Sequence, residues 1–411
     1  MAKPKEIPYV GLDIGTSKVV CVVGLQQEDS STPSIIGLGV SPTVGLRRGV
    51  VIDIEETVSS ITAALEEAER MSGIAIERAT VSIDGAHIQS LNSRGVIAVA
   101  RADHQITRED LGRAEEAATA INLDANRQIL QVMPRSYTVD GQAGIADPVG
   151  MNGVRLEVDT HIITGTTPAI KNVANAVFRS GITIDDQVIA PMAAARAVLT
   201  KRQKELGVIV INFGAETTGV VMYEEGHVVF TTILPVGSNH ITKDLVYGLR
   251  TNIDIAEKVK IAAARAEKGK SGANTKINLE EFGGKGVVRR SEIDKIVLSR
   301  LDEIFGMIAG EIKKASKGSL LTAGVVITGG GAHMTGLTDY AKRVLKLPAT
   351  VGKLSGFSGI YDKINDPMYS AAVGLMLIDT DQPTAHHKIQ LGGFMGGVTS
   401  KLKSIFKSLA P

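Results

Sequence analysis

The chain has 411 residues, enough for two or more domains with full cores. Its 45 basic and 44 acidic residues leave a net charge of +1, and aromatics make up 4% with no Trp, so neither a global pull on nucleic acid nor a base-stacking surface is expected. No apolar run reaches the ~20 residues of a spanning helix, MAKPKEIPYV shows no secretory signal region, and the lone Cys21 excludes a disulfide framework or cysteine metal site.

In chain order, residues 7–25 and 34–52 alternate β-branched and turn residues as paired strands do. A helix is expected over 55–72, with Val58, Ile61, Ala64, Leu65 and Ala68 at helical spacing and Asp53 as its N-cap. ATVSIDG then gives a strand ending at Gly85. From His87 to about Ile163 the pattern is strand, capped helix, strand, polar turn, strand, which reads as a small α+β insertion. Within it Thr107 and Asp110 form a capping-box-like helix start.

A helix over 168–180, a strand (TIDDQVIA) and a helix led by Pro191 follow. VIVINFGAETTGVV, beginning at 208, then repeats the plan of VGLDIGTSKVV at 10–20: a β-branched strand, a turn of small residues, a second strand. Asp13 corresponds to Asn212 and Gly15 to Gly214. Two such turns in register suggest two similar halves facing one another, with a phosphate chain held between them by backbone N–H groups. Strand HVVFTTILPV and a helix near His240 come next. Residues 252–320 read as mostly helical, interrupted by the polar, Gly-rich KGKSGANTKINLEEFGGKG. Strand AGVVITGGG at 323–331 leads into another loop and helix. After Ile378 a polar and Gly-rich stretch looks like a flexible linker before a last helical piece, VTSKLKSIFKSLAP.

The candidate phosphate site comprises Asp13, Gly15, Thr16, Ser17 and Lys18 of the first turn and Asn212, Gly214, Thr217 and Thr218 of the second. Asp13 is placed to orient a water on Mg²⁺; the alternative, for Asp13 considered alone, is an Asp capping a strand turn. Lys18 either reaches a phosphate or is a solvated strand lysine. Gly329, Gly330 and Gly331 permit close backbone approach before a helix N-terminus. Glu257 and Lys260, three apart on one helical face, suit a ribose and an adenine, or else form a surface ion pair worth ~0.2–0.5 kcal/mol. At the C-terminus Val398, Leu402, Ile405, Phe406 and Leu409 make one apolar stripe flanked by Lys401, Lys403 and Lys407, with no acid from Gly392 on. That pattern fits an amphipathic helix lying on an anionic membrane. The histidines lack metal-ligand spacing, and no Ser–His–Asp arrangement has sequence support.

With these parts placed, the chain resembles the FtsA family of actin-like bacterial cell division proteins over nearly all its length. The most specific segment is MPRSYTVDGQAGIADPVGMNGVRLEV at 133–158, which is similar to the family's inserted subdomain. DnaK-type chaperones, MreB and sugar kinases share the two-turn plan without it. The resemblance implies an α/β, two-lobed actin-like ATPase fold with ribonuclease H-like halves, an inserted α+β subdomain and a C-terminal amphipathic helix. It divides the chain into 1A (1–85, 166–190, 356–380), 1C (86–165), 2A (191–245, 323–355), 2B (246–322), a linker (381–396) and a membrane helix (397–411).

The resemblance further implies ATP and Mg²⁺ between the lobes, head-to-tail self-assembly, and attachment to the inner face of the cytoplasmic membrane at the division site. Subdomain 2B would hold the C-terminal peptide of FtsZ through Arg300 and Glu303, with Arg290 a further candidate. Subdomain 1C would meet neighbouring protomers and the cytoplasmic tail of a division protein such as FtsN. Where the family has DIGGGTTD this chain has NFGAETTG at 212–219. Asn212 lacks the carboxylate, Glu216 is expected to place an anion beside phosphate, Gly219 replaces an Asp, and Ser238 stands for a glycine. Slow hydrolysis at most is therefore expected. A pilus-assembly scaffold of the same superfamily and a sugar-kinase-like phosphotransferase are the alternatives.

Overall fold

The computed structural model describes residues 8–26, 32–267, 275–315 and 321–381. The described chain begins with strands β1 (Tyr9–Ile14), β2 (Lys18–Leu25) and β3 (Ser34–Pro42), a short ribbon β4 (Leu46–Arg47) and β5 (Val50–Val51), and helix α1 (Ile54–Ser72). Asp53 caps α1 by accepting the Glu56 N–H at 3.1 Å, and Gly73 ends it in the left-handed conformation. The buried face of α1, with Ile61, Ala64, Leu65 and Ala68, lies on β3, where Gly37 and Gly39 leave room for its backbone. Strands β6 (Arg78–Ile83) and β7 (Gln89–Ala98) come next.

The insertion adds α2 (Arg108–Ala118), β8 (Arg127–Val139), β9 (Gln142–Ile145) and β10 (Arg155–Thr166). Its sheet runs β7-β10-β8-β9. Val99, Ile106, Ala114, Leu156 and Val158 form its core, and Tyr137 donates its hydroxyl to Glu115 at 2.9 Å. Residues 93–122 and 134–160 make a compact unit of their own. Its limits fall inside strands: Ser90 of β7 and His161 of β10 belong to the larger unit, where both hydrogen-bond to Thr231.

Then follow α3 (Thr167–Arg179), β11 (Thr183–Ile189), α4 (Ala190–Val198), α5 (Lys201–Glu205), β12 (Val208–Phe213), β13 (Thr218–Glu224), β14 (His227–Leu234), α6 (Ser238–Leu249) and α7 (Ile253–Ala263). Part of the expected polar loop is structured. Strands β15 (Lys276–Asn278) and β16 (Val287–Arg289) pair as a hairpin that buries Ile277 and Leu279, two apolar residues hidden in a polar context. The chain ends its described part with α8 (Arg290–Ala315), β17 (Gly324–Thr328), α9 (Leu337–Leu345), β18 (Ala349–Val351), β19 (Ser358–Gly359), α10 (Tyr361–Ile364) and α11 (Ser370–Asp381).

In the larger unit, one sheet has the order β11-β6-β1-β2-β3-β19 and the other β14-β13-β12-β17-β18. The two share a plan. β1–β2–β3 and β12–β13–β14 are antiparallel meanders, while β6 and β17 join parallel to β1 and β12. Asp13 lies opposite Val20 and Asn212 opposite Gly219, so the sequence repeat is a structural one. The carboxyl ends of β1, β6, β12 and β17 all deliver residues to one cavity, the usual place for a ligand in such sheets.

Helix α11 packs against both β1 and α4. A Cβ at Gly374 would stand 1.7 Å from the Ala193 carbonyl oxygen, and one at Gly11 would stand 2.1 Å from that of Ala372. Glycine is needed at both contacts for the backbones to meet. Val373, Leu375, Met376 and Leu377 are buried around it, each contributing ~1.5–3 kcal/mol.

Candidate functional site

The cavity, about 510 Å³, is framed by two turns of matching geometry. Gly15 donates its N–H to the Lys18 carbonyl at 3.1 Å, and Gly214 donates to that of Thr217 at 3.0 Å. Each closes a two-residue hairpin loop, Thr16–Ser17 in one case and Ala215–Glu216 in the other. Gly15, Thr16, Ser17 and Lys18 line the cavity, as do Asn212, Gly214 and Thr217. The Lys18 ammonium lies 3.0 Å from Met368 Sδ. The N-terminus of α6 presses on the second turn: Ser238 and Asn239 donate backbone N–H groups to the carbonyls of Gly214 and Ala215 at 2.9 and 2.7 Å.

Two of the cavity's carboxylates, Asp13 and Asp84, come from the carboxyl ends of β1 and β6. Burial is the main reason that Asp13 is pushed up to about 6; the Ser82 hydrogen bond opposes it, the Asp84 charge adds to it and Lys18 counters it. Burial also raises Asp84, against the hydroxyl of Thr217 at 2.6 Å and the N–H of Gly85 at 2.9 Å. A cation or a dense set of donors placed here would relieve both groups. Among the described residues, no cluster of three or more His, Cys, Asp or Glu could hold a metal ion by itself.

The opposite wall carries Glu257 and Lys260, joined at 2.7 Å, and the Thr242 hydroxyl also donates to Glu257. Gly329, Gly330 and Gly331 complete it. Gly331 lies against the Phe213 ring, where a Cβ would come within 2.3 Å, whereas a Cβ at Gly330 would meet nothing within 4 Å. Gly330 therefore offers its bare backbone to the cavity.

Three expectations change. Glu216 does not line the cavity. Its carboxylate turns away, taking the Lys243 ammonium at 2.8 Å and the Arg48 N–H at 3.0 Å. Burial would raise it, but these partners win and hold it below the usual carboxylate range. Thr218 is also outside: it is fully buried and donates its hydroxyl to the Val236 carbonyl at 2.7 Å, because it is the first residue of β13 and faces the core. Arg290 does not line the groove that Arg300 and Glu303 line, and its Nη1 donates to the Ala263 carbonyl at 3.0 Å.

Arg300 and Glu303 line a separate groove between α6 and α8, together with Asp244, Tyr247 and Ile296. Arg300 holds Asp244 through two hydrogen bonds, 2.6 and 2.8 Å, and Glu303 at 2.5 Å. Tyr247 is 86% exposed there. Val398, Lys401, Leu402, Lys403, Ile405, Phe406, Lys407 and Leu409 lie outside the described residues, and among those described no helix is long and apolar enough to cross a membrane.

The sequence reading did not single out Asp84, Ala190, Arg265, His333 or Ser370, all of which line the cavity. For Asp84 a signal existed: SIDG at 82–85 ends its strand as VITGG does at 326–330, and those strands, β6 and β17, hold the same place in the two sheets. Ser370 is buried at the start of α11, and its hydroxyl has no hydrogen-bond partner in the protein.

Comparison with known proteins agrees with this architecture. Residues 85–164 match the model of the SHS2 domain inserted in FtsA, and residues 209–374 match that of cell division protein FtsA. The chain is 39% identical over 368 residues to cell division protein FtsA of Neisseria meningitidis, covering 89% of this chain and 88% of that one. Against the Bacillus subtilis protein of that name it is 36% identical, covering 90% and 82%. Among solved structures, the PilM–PilN type IV pilus biogenesis complex superposes with a TM-score of 0.66 at 15% identity, covering 92% of this chain and all of that one. MreB5 of Spiroplasma citri bound to ADP gives 0.57 at 15% identity, covering 95% and 100%. The fold is the actin-like one, and the chain belongs to the FtsA family of cell division proteins.

Proposed function

We propose that this chain binds ATP with Mg²⁺ in the cavity, assembles head to tail, and ties FtsZ filaments to the inner face of the cytoplasmic membrane at the division site. The observation that carries the reading is the pair of matching turns on duplicated sheets, facing the bare backbone of Gly330. The residues suit the ligand. Turn N–H groups and Lys18 would take phosphate oxygens, and Glu257 and Lys260 would take the ribose and base. Mg²⁺ is held by one or two carboxylates plus phosphates and water rather than by a protein cage, which fits Asp13 and Asp84 alone. Bound there, the ion would neutralise phosphate charge.

The same walls argue for slow turnover. Asn212 brings an amide where a carboxylate would serve a water, and Ala190 presents a methyl group to the cavity. Subdomain 2B (246–322) would take the FtsZ C-terminal peptide in the groove of Arg300 and Glu303. Subdomain 1C (86–165) would take neighbouring protomers and the tail of a division protein such as FtsN. Residues 397–411 would lie on anionic lipid. A pilus scaffold would share the fold but not this terminal basic stripe, and a sugar kinase would need a base beside a substrate pocket.

Co-sedimentation with anionic liposomes, run with Mg²⁺ and ATP and imaged for filaments, tests the reading. The full chain should pellet with the lipid and the chain lacking 397–411 should stay in solution. Equal pelleting by both would overturn the anchor.

A further inference from the structure

The cavity is lined by residues of two sheets, and beside it contacts cross from one to the other. Asp84, following β6 of the first sheet, accepts the Thr217 hydroxyl of the second turn at 2.6 Å. In the reverse sense Glu216 of the second turn accepts the Arg48 N–H, from the turn between β4 and β5, at 3.0 Å. That turn is itself fastened to the first sheet: Gly49 donates its N–H to Thr16 Oγ1 at 3.1 Å. A Cβ at Gly49 would come within 2.7 Å of the Gly85 nitrogen, so this backbone lies directly on Asp84–Gly85. Arg48 holds φ at +51°, a left-handed conformation uncommon in arginine. The other Glu216 oxygen takes Lys243 of α6 at 2.8 Å.

We infer that Glu216 closes a reciprocal clasp with the Asp84–Thr217 pair, one that locks the two turns together across the cleft and sets how fast a bound nucleotide leaves. The inference rests on the nucleotide reading given above. A ligand gripped by both turns is freed when they separate, and separation breaks the bonds that cross between them. Arg48, Glu216 and Lys243 do not line the cavity, so they act on release without touching the ligand; they are positioning residues. The glycine that DIGGGTTD would place at 216 has no side chain with which to make this contact.

The test is release of a fluorescent ATP analogue, with Mg²⁺, from the full chain on mixing with excess unlabelled ATP. Losing the charge-assisted contacts in Glu216→Ala should speed release about tenfold or more. Lys243→Met keeps the Arg48 contact and should speed it about threefold. Glu216→Gln keeps an acceptor for the Arg48 N–H and should fall between wild type and Glu216→Ala. Hydrogen exchange at the Arg48 amide of the nucleotide-free protein is the second readout: protected in wild type, exposed in Glu216→Ala. Release by Glu216→Ala within a factor of about two of wild type, with Arg48 still protected, overturns the clasp. Should the wild type not bind the analogue, the nucleotide reading fails and release control falls with it; the Arg48 amide then separately decides whether the turns are clasped. If Glu216→Ala does not fold, Lys243→Met carries the release measurement, and release unchanged from wild type overturns the inference.

Discussion

Gly330 separates the requirements of the fold from those of the ligand, and Gly330→Ala tests that separation. The new methyl group would meet no protein atom within 4 Å, and Gly330 is not among the positive-φ residues. The folded state should therefore be unharmed or stabilised by up to about 1 kcal/mol, as for other tolerated Gly→Ala changes. The methyl group projects from a cavity-lining position, where a phosphate in hydrogen-bonding contact with the backbone would have to withdraw. Loss of one charge-assisted hydrogen bond costs about 1.5–3 kcal/mol, or roughly 10- to 100-fold in Kd. Gly331→Ala is the contrast, since its Cβ would press to 2.3 Å on the Phe213 ring and should cost about 1–3 kcal/mol of stability. Calorimetric titration with Mg²⁺–ATP, beside thermal melts of the three proteins, reads both effects. Wild-type affinity in Gly330→Ala would refute the placement of phosphate against this turn.

Gly374→Ala should destabilise by about 1–3 kcal/mol despite the better helix propensity of Ala, because its Cβ would sit 1.7 Å from a carbonyl oxygen. Gly306→Ala in α8, with nothing within 4 Å, should instead gain up to about 1 kcal/mol; melts of the two that shift alike would count against the packing of α11. Burial pushes Asp379 up to about 6, against hydrogen bonds from Val10 and Thr80. A raised carboxyl contributes stability that is full below its unfolded value near 4 and is lost as pH rises through about 6. Asp379→Asn should therefore gain up to roughly 3 kcal/mol at pH 8 and much less at pH 5, and equal urea midpoint shifts at both pH values would contradict the assignment. Arg300→Glu, facing Asp244 and Glu303, should weaken an FtsZ tail peptide about tenfold or more in a titration, and unchanged affinity would end Arg300's assignment to the peptide.

The strands and both turns were legible because β-branched runs, buried on both faces in β2, β12 and β17, and turn glycines are local signals. Helix α1 was legible from its Asp53 cap and its apolar stripe. Helix α11 was not, since SAAVGLMLI is apolar on every side and offers no helical stripe to read. Asp84 escaped notice because its place in the cavity depends on the parallel pairing of β6 with β1, a contact between residues about seventy positions apart in the sequence. Glu216 was located correctly and aimed wrongly: what turns it outward are Lys243 and the backbone of Arg48, neither of which its neighbours in sequence reveal.

The placement of α11 has a mechanical consequence. The chain's C-terminal extension leaves from this helix, and the helix meets the Ala193 carbonyl at Gly374, contacts β1 at Gly11 and holds Val10 through Asp379. Its first residues, Ser370 and Ala371, border the same cavity as Asp13 at the far end of β1. Tension on the extension would thus be taken along a buried helix into the central strand of the first sheet. A pull from a tethered tail would be felt at the floor of the cavity rather than dissipated in a surface loop.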